Sequence, residues 1–62
     1  MNNKNRVFEF LYKNNENGYN INQISRIVGI SVGSAFKILK EFERHGYITA
    51  GRKNNALLHK IN

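Results

Sequence analysis

The sequence predicts a mainly α fold with a small β-hairpin: three helices, then two short strands. Three observations carry that expectation. Apolar residues recur at helical spacing in three blocks separated by Gly18 and Gly29. Asn20 and Ser31, both good N-cap residues, stand at the head of the second and third blocks. The last stretch, "YITAGRKNNALLHKIN", has short apolar-rich runs on either side of a turn at Lys53-Asn54-Asn55.

The first helix is expected over about residues 4–14, "KNRVFEFLYKN", where Val7, Phe8 and Leu11 share one face. "ENGYN" breaks it, with Gly18 expected as the helix-ending residue. Asn20 followed three positions later by Gln23 has the form of a capping box. It opens a second helix over 21–28 with Ile21, Ile24 and Val28 facing inward. Gly29 stops that helix, Ser31 starts a third over 31–45, and Gly46 ends it. The hairpin follows over about 47–61.

Sixty-two residues make one domain, 1–62, with a small core and marginal stability unless a partner subunit adds to it. No cysteine is present, so disulfides and thiolate metal sites are excluded. The polar start "MNNKNR" and the short apolar runs lead to the expectation of a cytoplasmic protein with no membrane span. The formal charge is +6, which points to a polyanionic partner. The excess is uneven. From Arg26 to Lys60 there are seven Lys and Arg against two Glu, while the first 25 residues carry three against two.

The third helix concentrates this charge. At about 100° per residue, Ala35, Ile38, Leu39 and Phe42 fall within one arc of about 100° and form the expected buried face. Gly33, Lys37, Lys40 and Arg44 lie opposite, with Glu41 and Glu43 off to the sides. The helix begins with the compact run Ser31, Val32, Gly33 and Ser34. Gly33 costs a helix roughly 1 kcal/mol relative to alanine. A helix that enters a major groove by its first turns gains from that lean start, because its backbone must approach base edges and phosphates. Its free N–H groups suit phosphate, the hydroxyls of Ser31 and Ser34 can donate, and Val32 suits a thymine methyl.

From Ile21 to Lys40 the chain resembles the helix-turn-helix family. Ser25 supplies the small residue at the helix crossing, Gly29 the positive-φ turn, and Ile24, Val28, Ile30, Ala35 and Ile38 the apolar set. With the first helix and the hairpin, the chain resembles a three-helix winged helix-turn-helix domain of the MarR/ArsR type. "ISVGSAFKILKEFERHGYI" is similar to that family's recognition helix and its ending, here Gly46-Tyr47-Ile48. The resemblance implies that Ser31, Val32, Gly33, Ser34, Phe36, Lys37 and Lys40 lie where the family grips the major groove. It also implies that "GRKNNA" is the wing, with Arg52 and Lys53 near the minor groove or backbone. Phe36 departs from the polar residue frequent at its position, and either stacks on a sugar or packs on the first helix. The C-terminal dimerisation helix of many relatives is expected to be missing.

Arg44 extends the basic stripe and Arg26, on the outer face of the second helix, is a phosphate candidate. Asn54 and Asn55 are turn residues first and DNA contacts second. His45 and His59 lack neighbours that would complete a metal site, and no cofactor or small-molecule effector is expected. Phe8, Phe10, Leu11 and Tyr12 exceed the needs of one small core, so a homodimer through the first helix is expected. The function expected is sequence-specific binding of double-stranded DNA by a transcription regulator. Its rivals are an RNA-binding module and a winged-helix module that meets an acidic protein. No enzyme is expected: the chain has no aspartate and only four glutamates, none of them placed as a metal-holding pair.

Overall fold

A computed structural model describes residues 2–62; Met1, the first residue of the expected domain, lies outside the described residues. The element order is α1 (Asn3–Lys13), α2 (Ile21–Val28), α3 (Val32–Arg44), β1 (Ile48–Lys53) and β2 (Ala56–Ile61). Each helix is opened by a side chain that takes up an orphan N–H. Asn2 accepts from Asn5 at 2.8 Å, and Ser31 from Ser34 at 3.0 Å. Asn20 and Gln23 make a reciprocal capping box, both bonds at 2.8 Å.

The two turn glycines do what their lack of a Cβ allows. Gly29 closes α2 at φ +81° and Gly46 follows α3 at φ +78°. The amides of Gly29 and Ile30 both donate to the Ser25 carbonyl, at 2.8 and 3.0 Å. Ser25 itself is buried and donates its hydroxyl to the Asn22 carbonyl. One further contact closes this corner: the Arg6 guanidinium on α1 donates to the Val28 carbonyl at the α2 C-terminus, where a cation is favoured.

Val7, Leu11, Ile24, Val28, Ile38, Leu39, Phe42 and Ile48 form the core. The hairpin covers one end of it. β1 and β2 pair antiparallel from Ile48↔Ile61 to Lys53↔Ala56. Asn54 and Asn55 both take positive φ, at 51° and 68°, as a two-residue turn matched to the strand twist requires. Lys53, expected within the turn, belongs to the strand.

The α1–α2 connection also departs from expectation. Gly18 does not end the first helix, which stops at Lys13 with Asn14 as its cap. Gly18 instead lies against β2, where an added Cβ would sit 2.7 Å from the Leu58 Cβ. The expected outcome for Gly18→Ala is a loss of about 1–3 kcal/mol, read as a lowered thermal midpoint with the helical circular-dichroism signal intact below it. Beside it, Tyr19 pairs with His59 as an isolated bridge, with N–H to carbonyl bonds of 3.0 and 2.8 Å. His59 is buried and its Nδ1 lies 3.0 Å from the same Tyr19 carbonyl, to which it donates. Its role is to tie the α1–α2 connection to the hairpin.

Lys4 on α1 pairs with Glu41 on α3. That ammonium holds the Glu41 carboxyl below its ordinary value, against a smaller opposing effect of burial. The pair therefore contributes at neutral pH, and its contribution is lost as pH falls through that lowered value. Among the described residues no helix is long and apolar enough to cross a membrane.

Candidate nucleic-acid interface

The first turn of α3 is bare because nothing fills it. Ser31, Val32 and Gly33 are all exposed. A Cβ added at Gly33 would meet only the Ser31 hydroxyl, at 4.0 Å. Packing against another helix therefore does not require glycine here, and the open space lies on the outer side of α3. Ser31 Oγ–H donates to Ser34 Oγ at 3.0 Å while also accepting the Ser34 amide. Ser31 is thus occupied as a cap, and the Ser34 hydroxyl keeps its proton for an outside acceptor.

Behind this tip α3 divides into a buried and an exposed face. Ala35, Ile38, Leu39 and Phe42 are buried, and Lys37, Lys40 and Arg44 are exposed. Among the described residues Lys37 and Arg44 form no ion pair. Lys40 is held between two neighbours, 3.7 Å from the Glu43 carboxylate and 5.6 Å from the centre of the Phe36 ring. An exposed pair of this kind is worth little by itself, but it orients the Lys40 chain toward the wing side of the helix.

Phe36 does not pack on α1. It is 53% exposed and lines a groove of about 470 Å³ between α3, the start of α2 and the hairpin. Leu39, Lys40 and Glu43 share the α3 wall, Asn20, Ile21 and Asn22 form one end, and Asn55, Ala56, Leu57 and His59 form the other side. The strand register sorts the wing residues. Alternate residues share a face, so Arg52 and its partner Leu57 lie on the face of His59 that looks into the groove. Lys53 and its partner Ala56 share the opposite strand face, with Ala56 and Asn55 at the groove's edge. Arg26 is exposed on α2 one turn beyond Asn22, near the groove's end.

The fold thus gathers Phe36, Lys40, Asn55 and Leu57 around one concavity, and leaves Lys37 and Arg44 exposed on the far flank of α3. Sequence reasoning missed Leu57, Asn22 and Glu43. Leu57 was within reach: a turn at Asn54-Asn55 pairs it with Arg52. The groove itself follows from the tertiary angle between hairpin and helix and left no mark in the sequence.

The residues expected to form a dimer face divide into two groups. Leu11 is only 1% exposed and belongs to the core, so it is unavailable to a partner. Phe10 is half-buried with its ring 4.9 Å from that of Tyr19. Phe8 and Tyr12 remain at the surface, stacked at 6.3 Å, and Tyr47 joins them 6.4 Å from Phe8.

A two-helix corner, a lean basic third helix and a hairpin beside it define a winged helix-turn-helix DNA-binding domain. The chain matches the winged helix-turn-helix DNA-binding family over residues 4–49, and it belongs to that family. Its fold is similar to the solution NMR structure of protein BT2368 from Bacteroides thetaiotaomicron, with a TM-score of 0.81 and 24% identity. The alignment spans 95% of this chain and 70% of that one. A search of curated protein sequences finds no match.

Proposed function

We propose that this DNA-binding chain is a sequence-specific transcription regulator of the MarR/ArsR kind, acting on double-stranded DNA. In this reading α3 enters the major groove by its first turns and the 51–56 wing lies on the backbone or in the minor groove. The observation that carries it is the open space at Gly33: the fold gains nothing from a glycine there, whereas a groove-entering helix does. Val32, Gly33, Ser34 and Phe36 face the base edges. Lys37, Lys40, Arg44 and Arg26 take phosphates, as do Arg52 and Lys53 with Asn54 and Asn55 at the wing tip. Ser31 serves through its cap, which holds the helix N–H groups in place.

Phe8, Tyr12 and Tyr47 form an exposed aromatic face on the α1 side. In this reading two copies meet there, so that two α3 helices address two half-sites. The test is selection of bound duplexes from random-sequence DNA, followed by titration of the selected and a scrambled duplex. Tighter binding to the selected duplex by a factor of about 10³ or more is expected. Equal affinity for both, or preference for single-stranded RNA, would defeat the assignment. Sedimentation of the free protein is expected to give a dimer that Tyr12→Ala weakens.

A further inference from the structure

α3 carries two different outer flanks. Its buried apolar residues sit on one face, yet two large apolar side chains are left outside: Val32, 46% exposed, and Phe36, 53% exposed. They are four residues apart, so they stand one above the other on successive turns. The basic flank formed by Lys37 and Arg44 lies about 100° further round the helix. Leu57 of the wing, 43% exposed, faces Phe36 across the groove. A protein of this size gains nothing in solubility from an apolar strip, and such strips mark contact surfaces.

Resting on the reading that α3 enters the major groove, we propose that Val32 and Phe36 read the methyl groups of two thymines, with Leu57 closing the apolar strip from the wing side. The chemistry selects this occupant. The major-groove edge of DNA offers donors and acceptors at every base, and the thymine C5-methyl is its apolar feature. The cations surrounding the strip, Lys40 within it and Lys37 and Arg44 beyond it, fit the flanking phosphates. The space left by Gly33, next to Val32, lets the helix come close enough for methyl contact. Lys40, poised 5.6 Å from the Phe36 ring centre, holds that ring toward the groove. Two side chains one helical turn apart are about 6 Å apart at Cβ, and stacked bases rise about 3.4 Å per step. The thymines therefore fall on adjacent or next-but-one base pairs.

The test replaces each thymine of the tightest duplex recovered from a random-sequence library with deoxyuridine, one at a time, and measures affinity. Deoxyuridine removes the methyl and leaves every hydrogen-bonding group in place. The wild-type protein is expected to bind about four-fold more weakly at two neighbouring positions, the fold-change for one buried methyl each. Phe36→Ala, a change at an exposed residue, is expected to bind the dT and dU duplexes equally at one of those positions, and Val32→Ala at the other. Equal wild-type affinity for dT and dU duplexes would overturn the proposal. Continued sensitivity to Lys37→Ala in that case would leave the groove placement standing, while loss of that sensitivity as well would remove both. If Phe36→Ala instead altered the sedimentation of the free protein and not the dU response, the strip would belong to a second copy, which also overturns the proposal.

Discussion

Gly33→Leu is expected to lower affinity for the selected duplex roughly a hundred-fold, the loss of about 3 kcal/mol of base-edge interaction, with no loss of stability. Most single changes weaken folding and function together. This one separates them, because its site has two opposite demands. In the free protein the position faces open space, so leucine meets nothing, and the helix gains up to about 1 kcal/mol in propensity. In the complex the same side chain stands between the α3 backbone and the DNA. Thermal melting and titration of one preparation check both halves. A variant that melts higher and binds normally would show that the tip of α3 does not approach DNA closely.

The second large effect is electrostatic. Replacing Lys37 and Lys40 together with alanine is expected to weaken DNA binding on the order of ten-fold or more at moderate salt, about equally for selected and scrambled duplexes. The slope of log affinity against log salt concentration should fall by about two, close to one for each phosphate left without its lysine. The contributions differ in kind. Lys37 has no ionic partner among the described residues, whereas Lys40 must leave the Glu43 carboxylate 3.7 Å away. Lys37→Ala alone is therefore expected to cost more than Lys40→Ala alone. Glu43→Gln, which frees Lys40, is expected to raise affinity modestly.

The helices were legible because their ends are written in local chemistry. Asn20 with Gln23, Ser31, Gly29 and Gly46 each satisfy or release a backbone group within a few residues of themselves, and each sits where the sequence places it. The buried face of α3 was legible for the same reason, since 3.6-residue periodicity is local. What escaped depends on chain segments that meet from far apart. Tyr19 and His59 pair across 40 positions, so one bridge with no alternation around it leaves no pattern. Gly18 reads as a helix stop, yet its smallness answers to Leu58. Arg6 reads as one more surface cation, although it closes the end of α2 through the Val28 carbonyl. The surplus of large apolar residues in α1 was partly a core requirement: Leu11 is interior and Phe10 leans on Tyr19. Phe36 could be placed on DNA or on α1 from sequence alone; the structure takes it off α1 and sets it in the groove beside the hairpin.

The measurement that bears most directly on the outward face of α3 is a titration of isotopically labelled protein with the selected duplex, followed through its backbone amide resonances. The largest shifts are expected at Val32–Lys40 and at Asn54–Asn55, with Phe8, Tyr12 and Tyr47 left near their free positions. Shifts concentrated on the aromatic face, with the amides of Gly33 and Lys37 unmoved, would contradict the account.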